Sequence, residues 1–144
     1  MINTDVFGIS FSEISLQRLG DQILEGKWRG NIIVTPNVDH IVRYHNDDDF
    51  RDVYSHADIY VNDSRVLRIL SKTVGKPIEN LVPGSDLTQF LFSHFNSISP
   101  VICVVGGESH IIQRVCKHYG VSKVHHINPA MGFDKDEDEM NRCI

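Results

Sequence analysis

The feature that most constrains the fold is a regular alternation of short apolar runs with segments of helical spacing. Three such runs are Asn31–Thr35, Ile59–Val61 and Val101–Val105, and a proline, asparagine or glycine follows each of them closely. Short apolar runs bounded by turn residues are typical of buried strands, and Val101–Val105 is the clearest of the three. Between them, apolar residues recur at helical spacing. The alternation predicts an α/β fold, Rossmann-like, with a mainly parallel sheet and flanking helices.

The remaining segments complete this outline. Ile2–Phe11 alternates loosely, which predicts a short extended segment at the amino terminus, and Ser12 is expected to cap the helix that follows. The run of three acids from Asp47 to Asp49 predicts a helix amino terminus, where carboxylates favour the helix dipole. Val121–Ile127 predicts one more strand. Because the chain shows no repeat and no linker, we interpret residues 1–144 as a single α/β domain.

Charge and composition exclude several classes of protein. The net charge is -5 and the basic residues are scattered, which argues against a nucleic-acid partner. No apolar run approaches the roughly 20 residues that cross a bilayer, and the amino terminus lacks the pattern of a secretory signal. Cys103, Cys116 and Cys143 fit neither a disulfide framework nor a zinc site. The sequence therefore predicts a cytoplasmic protein.

Polar and glycine residues follow three different predicted strands. Thr35 and Asn37 follow the first, Asp63 the second, and Gly106 and Gly107 the third. Because parallel strands end at one edge of a sheet, these residues are expected to gather along a single ligand-binding rim. The Thr35-Pro36-Asn37 stretch is also explained by an ordinary turn, so its binding role stays open.

Asp63 has two interpretations at this stage. An aspartate directly before a helix often caps it, and the helix predicted from Arg65 would be its target. A carboxylate at a ligand-binding rim can also act as a general base. The pair Gly106-Gly107 either lets a phosphate approach the backbone or simply makes a tight turn, and it lacks the spacing of a dinucleotide fingerprint.

No residue set has the spacing of a metal site, so neither a metal nor a cofactor is expected. His40 and His45 do not share a helical face, and His125 and His126 alternate along a strand. The acidic stretch from Asp134 to Asp138 resembles the start of a calcium loop, but Glu139 stands where the loop needs glycine. This stretch is interpreted as a solvated helix start.

Four motifs in order resemble the WecG/TagA/CpsF family of bacterial glycosyltransferases. Each is weak alone, and together they span the chain from about Val6 to Gly132. They are Val34–His40, Phe50–Asp63, Val82–Leu87 and Val104–Gly107.

The resemblance implies an inverting, metal-independent hexosyltransferase. Members typically move N-acetylmannosamine or its uronic acid from a UDP-sugar to an undecaprenyl-diphosphate-linked saccharide, in the synthesis of teichoic acid, capsule or other envelope polysaccharide. By this likeness Asp63 is the catalytic base, and Thr35 and Asn37 bind the donor. The remaining substrate-binding residues are a loop beside the site and a nucleotide-facing turn, namely Gly84, Ser85, Asp86, Gly106 and Gly107.

Three departures from the family pattern matter. Ser64 stands where many members have glycine, and Leu81 where many have an arginine that faces the diphosphate; Arg65 or Arg68 are candidate replacements. The family continues beyond a segment loosely matched by Met131–Phe133 into a further strand and an appendage thought to contact the membrane. We therefore expect a domain incomplete at its carboxyl end, self-association, and membrane contact at the inner face only through the absent part. The alternative function is a non-catalytic nucleotide-sugar-binding module or an inactive fragment.

Overall fold

A computed structural model describes residues 2–130, 132 and 137–141. Contacts divide the chain into two compact units, Met1–Leu91 and Phe92–Ile144. The predicted single domain of residues 1–144 stays a prediction.

The first unit is built on a four-stranded sheet in the order β1-β2-β4-β3. β1 and β2 pair antiparallel, whereas β2 with β4 and β3 with β4 pair parallel. In chain order its elements are β1 (Asn3–Val6), β2 (Ile9–Ser12), α1 (Leu16–Leu24), β3 (Ile33–Val34), α2 (Val38–Asn46), α3 (Asp48–Ser55), β4 (Ile59–Tyr60), α4 (Arg65–Thr73) and the start of α5 (Gly84–Ile98).

The predicted amino-terminal extended segment is a β-hairpin that ends one residue beyond the predicted end. Phe7 and Gly8 form its turn, both with positive φ, as a two-residue hairpin turn requires. Pairing of Asn3 with Ser12 carries β2 through Ser12, which is buried. The prediction that Ser12 caps the next helix was therefore wrong. Ser15 caps α1 instead and accepts a hydrogen bond from the N–H of Arg18.

Asp47 caps α3, as the run of three acids predicted. Its carboxylate accepts a hydrogen bond of 2.9 Å from the N–H of Phe50, and this bond lowers the pKa of Asp47 below its ordinary value. Asp48 and Asp49 lie in the first turn. Asp47 thus ends α2 and begins α3.

Two clusters of buried side chains hold the first unit together. Each fully buried aliphatic or aromatic side chain contributes about 1.5–3 kcal/mol by leaving water. One cluster consists of Val6, Ile9, Phe11, Ile41, Tyr54, Leu67 and Ile78. The other consists of Ile14, Leu19, Ile59, Val61, Val82 and Leu87.

The second unit contains a parallel pair of strands joined through a helix. Its elements are the end of α5, β5 (Ile102–Val105), α6 (Ser109–Tyr119), β6 (Val124–Ile127) and α7 (Glu137–Asn141). β5 is not the buried strand that its sequence predicted, because its residues alternate between half-buried and exposed and Val105 is 53% exposed. Among the described residues β5 pairs with β6 alone, and that pairing leaves one edge of β5 open.

The α/β prediction with mainly parallel strands is confirmed, in a Rossmann-like arrangement of strands and helices. The acidic stretch falls partly outside this description: Asp134 and Asp136 lie outside the described residues, as does Cys143, while Asp138 lies in α7. In the part of the chain that is described, no helix is long and apolar enough to span a membrane.

Candidate active site

The chain segments that directly follow β3 and β4 continue side by side. The N–H of Val61 donates to the carbonyl of Val34 at 3.0 Å, and the N–H of Asp63 donates to the carbonyl of Pro36 at 3.1 Å. These two bonds keep the parallel register as far as the polar residues. Thr35 and Asp63 therefore lie at the same edge of the first sheet.

The loop before α5 also contacts this edge of the sheet. The N–H of Val82 donates to the carbonyl of Asn62 at 2.7 Å, a short bond between two buried residues. Two residues later, the N–H of Gly84 donates to Oδ1 of Asp63 at 3.0 Å. Asp63 is thus held between the loop that follows β3 and the amino terminus of α5.

The Asp63 carboxylate is half-buried and only partly engaged. Oδ1 accepts the N–H of Gly84, while Oδ2 makes no hydrogen bond with any described residue. Asp63 is not the cap of α4, because the Ser64 hydroxyl occupies that position and accepts the N–H of Leu67 at 3.3 Å. The capping interpretation of Asp63 is therefore wrong. One carboxylate oxygen remains available to a ligand.

Thr35 packs directly against Gly84. A β-carbon built on Gly84 would lie 2.9 Å from Oγ1 of Thr35, closer than carbon and oxygen normally approach. Glycine is consequently the residue that allows Thr35, Gly84 and Asp63 to meet. These three come from motifs that are 21 to 49 residues apart in sequence.

Asn37 has a structural role, and part of its side chain is left for a ligand. Its Oδ1 caps α2 by accepting the N–H of His40 at 3.0 Å. The amide nitrogen has no partner among the described residues, so it is the part of Asn37 that can donate to sugar or phosphate oxygens. The role expected of Asn37 as a donor-site residue stays a prediction.

Ser85 and Asp86 lie in the first turn of α5 and are exposed. The Ser85 hydroxyl donates to the Asp86 carboxylate at 3.2 Å. The second turn begins with Thr88, whose hydroxyl donates to the carbonyl of Gly84. The predicted loop beside the site is therefore the beginning of a helix, with Gly84 nearest to Asp63.

Gly106 and Gly107 belong to the second unit, directly after β5. Both have positive φ, 87° and 78°, and the N–H of Gly106 donates to the carbonyl of Ile127 at 2.7 Å. Nε2 of His126 lies 3.1 Å from the carbonyl oxygens of both glycines, so its N–H donates to them. The turn is thus held by β6. The prediction that these glycines share a rim with Asp63 stays a prediction.

Leu81 lies beside two arginines in the first unit. A cavity of about 280 Å³ is lined by Leu81 together with Arg65, Arg68, Ile69 and Lys72 of α4. Nε of Arg68 is buried and has no hydrogen-bond partner in the described part of the chain. Positively charged side chains therefore lie beside Leu81, the position where the family pattern predicts an arginine.

Sequence reasoning missed the residues that support this edge. Asn62 is almost completely buried, and its Oδ1 accepts the N–H of Ser64 at 2.9 Å, which orients the chain after Asp63. The signal was present, since asparagine two residues before a backbone N–H commonly forms such a local turn. His126 was also missed, because nothing local in the sequence relates it to a glycine pair 20 residues earlier.

Among the described residues, no group of three or more His, Cys, Asp or Glu side chains is arranged to hold a metal ion. The expectation of a metal-independent reaction stays a prediction. A half-buried carboxylate with one free oxygen, next to a hydroxyl at the carboxyl end of parallel strands, can accept a proton and bind a polar ligand.

Fold and site together define an α/β protein of the Rossmann-like class, with its candidate site at the carboxyl edge of a parallel sheet. The model of the glycosyl transferase WecG/TagA/CpsF family matches residues 4–144, so the chain belongs to that family. Comparison with curated proteins gave no match. Family membership makes the chain a glycosyltransferase, which takes a sugar donor and an acceptor.

Proposed function

We propose that the chain transfers N-acetylmannosamine or a related hexosamine from a UDP-sugar to an undecaprenyl-diphosphate-linked saccharide. The reaction inverts the anomeric centre and serves envelope polysaccharide synthesis, such as teichoic acid or capsule. Asp63 is the general base. Thr35, Asn37, Gly84, Ser85 and Asp86 bind substrate in the first unit, and Gly106 and Gly107 face the nucleotide.

The observation that carries this proposal is the hydrogen bonding of the Asp63 carboxylate. The N–H of Gly84 fixes Oδ1 at 3.0 Å, and Oδ2 is left without a partner among the described residues. An oriented carboxylate with one free oxygen is what a general base requires. Since Ser64 caps α4, no structural duty competes for that oxygen.

The chemistry follows from these positions. The acceptor hydroxyl oxygen attacks the anomeric carbon of the donor from the face opposite the diphosphate. As that bond forms, the bond from the anomeric carbon to the diphosphate oxygen breaks and UDP leaves. The hydroxyl proton passes to Oδ2 of Asp63. The Thr35 hydroxyl lies against Gly84, and in this proposal it binds an oxygen of the donor.

UDP leaves with additional negative charge, which a nearby cation stabilises. Leu81 cannot supply that charge. Arg65 and Arg68 line the same cavity as Leu81, and Arg68 has a buried nitrogen that no described residue hydrogen-bonds. We therefore assign the diphosphate interaction to these two arginines.

The proposed partners set the proposed location. A polyprenyl-linked acceptor lies in the membrane and UDP-sugars are cytoplasmic, so the chain works in the cytoplasm at the inner face of the plasma membrane. A second copy of the chain is a further proposed partner. Exposed aliphatic residues of the second unit, Val101 at 70% and Val105 at 53%, support self-association.

The test is UDP release and product stereochemistry. The chain is incubated with a panel of UDP-hexosamines and a synthetic polyprenyl-diphosphate-linked acceptor. We expect acceptor-dependent UDP release with one donor, and a product whose anomeric configuration is opposite to that of the donor. Release with retention of configuration would contradict the proposed single displacement.

Leu81 favours one alternative, a module that binds nucleotide-sugars without transferring them. Such a module would bind UDP-sugar in calorimetry and release no UDP with any acceptor. Turnover in the presence of acceptor would exclude it.

A further inference from the structure

The rotation of α4 about its axis is fixed by its inner face. Leu67 and Ser71 are buried, and the Ser71 hydroxyl oxygen accepts the N–H of Ile78 at 2.9 Å. Leu67 also belongs to the first core cluster. The residues on the opposite side of the helix are therefore directed to solvent.

Aliphatic side chains form one strip of this solvent side. Val66 is 54% exposed, Ile69 63% and Leu70 41%. Residues at spacings of three and four lie next to each other on a helix, so these side chains make a continuous apolar strip.

Basic side chains form an adjacent strip. Arg65, Arg68 and Lys72 follow each other at spacings of three and four. Arg65 and Lys72 are exposed, and Arg68 is half-buried at the edge of the strip. No aspartate or glutamate occurs between Ser64 and Ile78, although the whole chain has a net charge of -5. None of the three cations forms an ion pair with a described residue.

We propose that this outer face of α4, formed by Arg65, Val66, Arg68, Ile69, Leu70 and Lys72, docks on an anionic phospholipid surface. An exposed helix face with an aliphatic strip beside a basic one lies in the plane of a membrane interface. Its aliphatic side chains enter the headgroup boundary and its cations meet lipid phosphates. The membrane contact is then made by the first unit itself.

Charge decides between a membrane and a second copy as the occupant of this face. A second copy that docked through the same face would bring its three cations against an identical set, and such juxtaposition is unfavourable. Lipid phosphates complement the cations instead. Arg65 and Arg68 are also the arginines assigned to the diphosphate above. The experiments below therefore use neither donor nor acceptor, and they change Ile69 and Lys72, which have no part in that assignment.

The first experiment uses sugar-free vesicles and the full chain. Co-sedimentation is measured with phosphatidylglycerol vesicles and with phosphatidylcholine vesicles, at low salt and at about 0.5 M salt, where charge interactions are strongly screened. We expect binding to phosphatidylglycerol that salt weakens, and at least tenfold weaker binding to phosphatidylcholine. Equal binding to both lipids, or no binding to phosphatidylglycerol, would overturn the proposal.

The second experiment assigns the binding to α4. Ile69→Ser combined with Lys72→Glu removes one aliphatic contact and reverses one charge. The vesicle partition coefficient should fall at least tenfold. The matched control, Val53→Ser with Lys123→Glu, makes the corresponding changes at an exposed aliphatic residue of α3 and at an exposed lysine before β6, and it should bind as the unaltered chain does. Circular dichroism melting verifies that both variants are folded.

Two results would refute the assignment. One is a folded α4 variant that binds phosphatidylglycerol as tightly as the unaltered chain. The other comes from sedimentation velocity without lipid: if the α4 variant loses self-association while vesicle binding persists, the face is an interface between copies.

Discussion

At the scale of single residues, the geometry at the edge of the first sheet depends on the separate hydrogen bonds of Asp63, Ser64 and Gly84. Ser64 caps α4, which leaves the Asp63 carboxylate to the N–H of Gly84. Gly84 in turn lets Thr35 approach. A change at any one of these positions therefore has its own expected signature.

Asp63→Asn should slow transfer strongly without unfolding the chain. The amide oxygen still accepts the N–H of Gly84, so the local geometry persists. The amide cannot take a proton from the acceptor, and general-base catalysis contributes typically about 10²–10⁴-fold. UDP release should fall by that factor while UDP-sugar affinity changes little. Asp52→Asn, at an exposed position of α3, is the control. A rate within a fewfold of the unaltered chain would remove Asp63 from the mechanism.

Gly84→Ala should weaken both stability and donor binding. The new β-carbon would lie 2.9 Å from Oγ1 of Thr35, so Thr35 or the start of α5 must shift. Overpacking of this kind costs about 1–3 kcal/mol. Gly20→Ala is a matched comparison, because its β-carbon would meet the ring of Phe90 at 2.4 Å.

The two alanine variants separate a site effect from a fold effect. Both should melt at a lower temperature than the unaltered chain in calorimetry. Below both melting temperatures, only Gly84→Ala should lose affinity for UDP-sugar. Equal loss of affinity in both variants would mean that Gly84 acts through stability alone.

At the scale of elements, caps decide where the helices begin. Ser64→Ala removes the hydroxyl that accepts the N–H of Leu67, and loss of a cap costs about 0.5–2 kcal/mol. Urea denaturation should show that decrease in the free energy of unfolding, whereas Asp63→Asn should change it by less than about 0.5 kcal/mol. The reverse order would restore Asp63 as the cap and weaken its assignment as a base.

The glycine turn after β5 depends on another element in a similar way. His126 reaches from β6 to the carbonyls of Gly106 and Gly107, and Gly106 also donates to Ile127. The turn is held by cross-strand bonds, so its shape follows from the β5–β6 pairing rather than from the glycines alone.

At the scale of the whole molecule, donor binding should not need a metal ion. The described residues offer no ligand cluster, and the diphosphate is assigned to Arg65 and Arg68. UDP-sugar affinity measured by calorimetry should therefore be the same with excess chelator and with added Mg²⁺ or Mn²⁺. An affinity that falls at least tenfold in chelator and returns with either ion would overturn metal independence.

The sequence by itself determined the class of fold and the starts of α3 and α4, because both follow from local patterns. Apolar spacing identified the helices, short apolar runs identified β3 to β6, and Asp47 was recognised as a cap from the three acids beside it. Local signals failed where pairing partners decide the outcome. Ser12 was taken for a cap because its strand partner Asn3 could not be known, and β5 was expected to be buried.

Only the tertiary structure decided how the candidate site is assembled. Thr35, Asp63 and Gly84 were each singled out from sequence, but their mutual contacts join residues 21 to 49 positions apart. The structure also showed that Ser64 caps α4 through the N–H of Leu67, while Asp63 contacts Gly84. The exposed, unpaired face of α4 became visible only once Leu67 and Ser71 were seen to face inward. The physical reason is the same in each case, since local patterns set what a segment becomes, whereas burial and long-range hydrogen bonds set what its side chains are free to do.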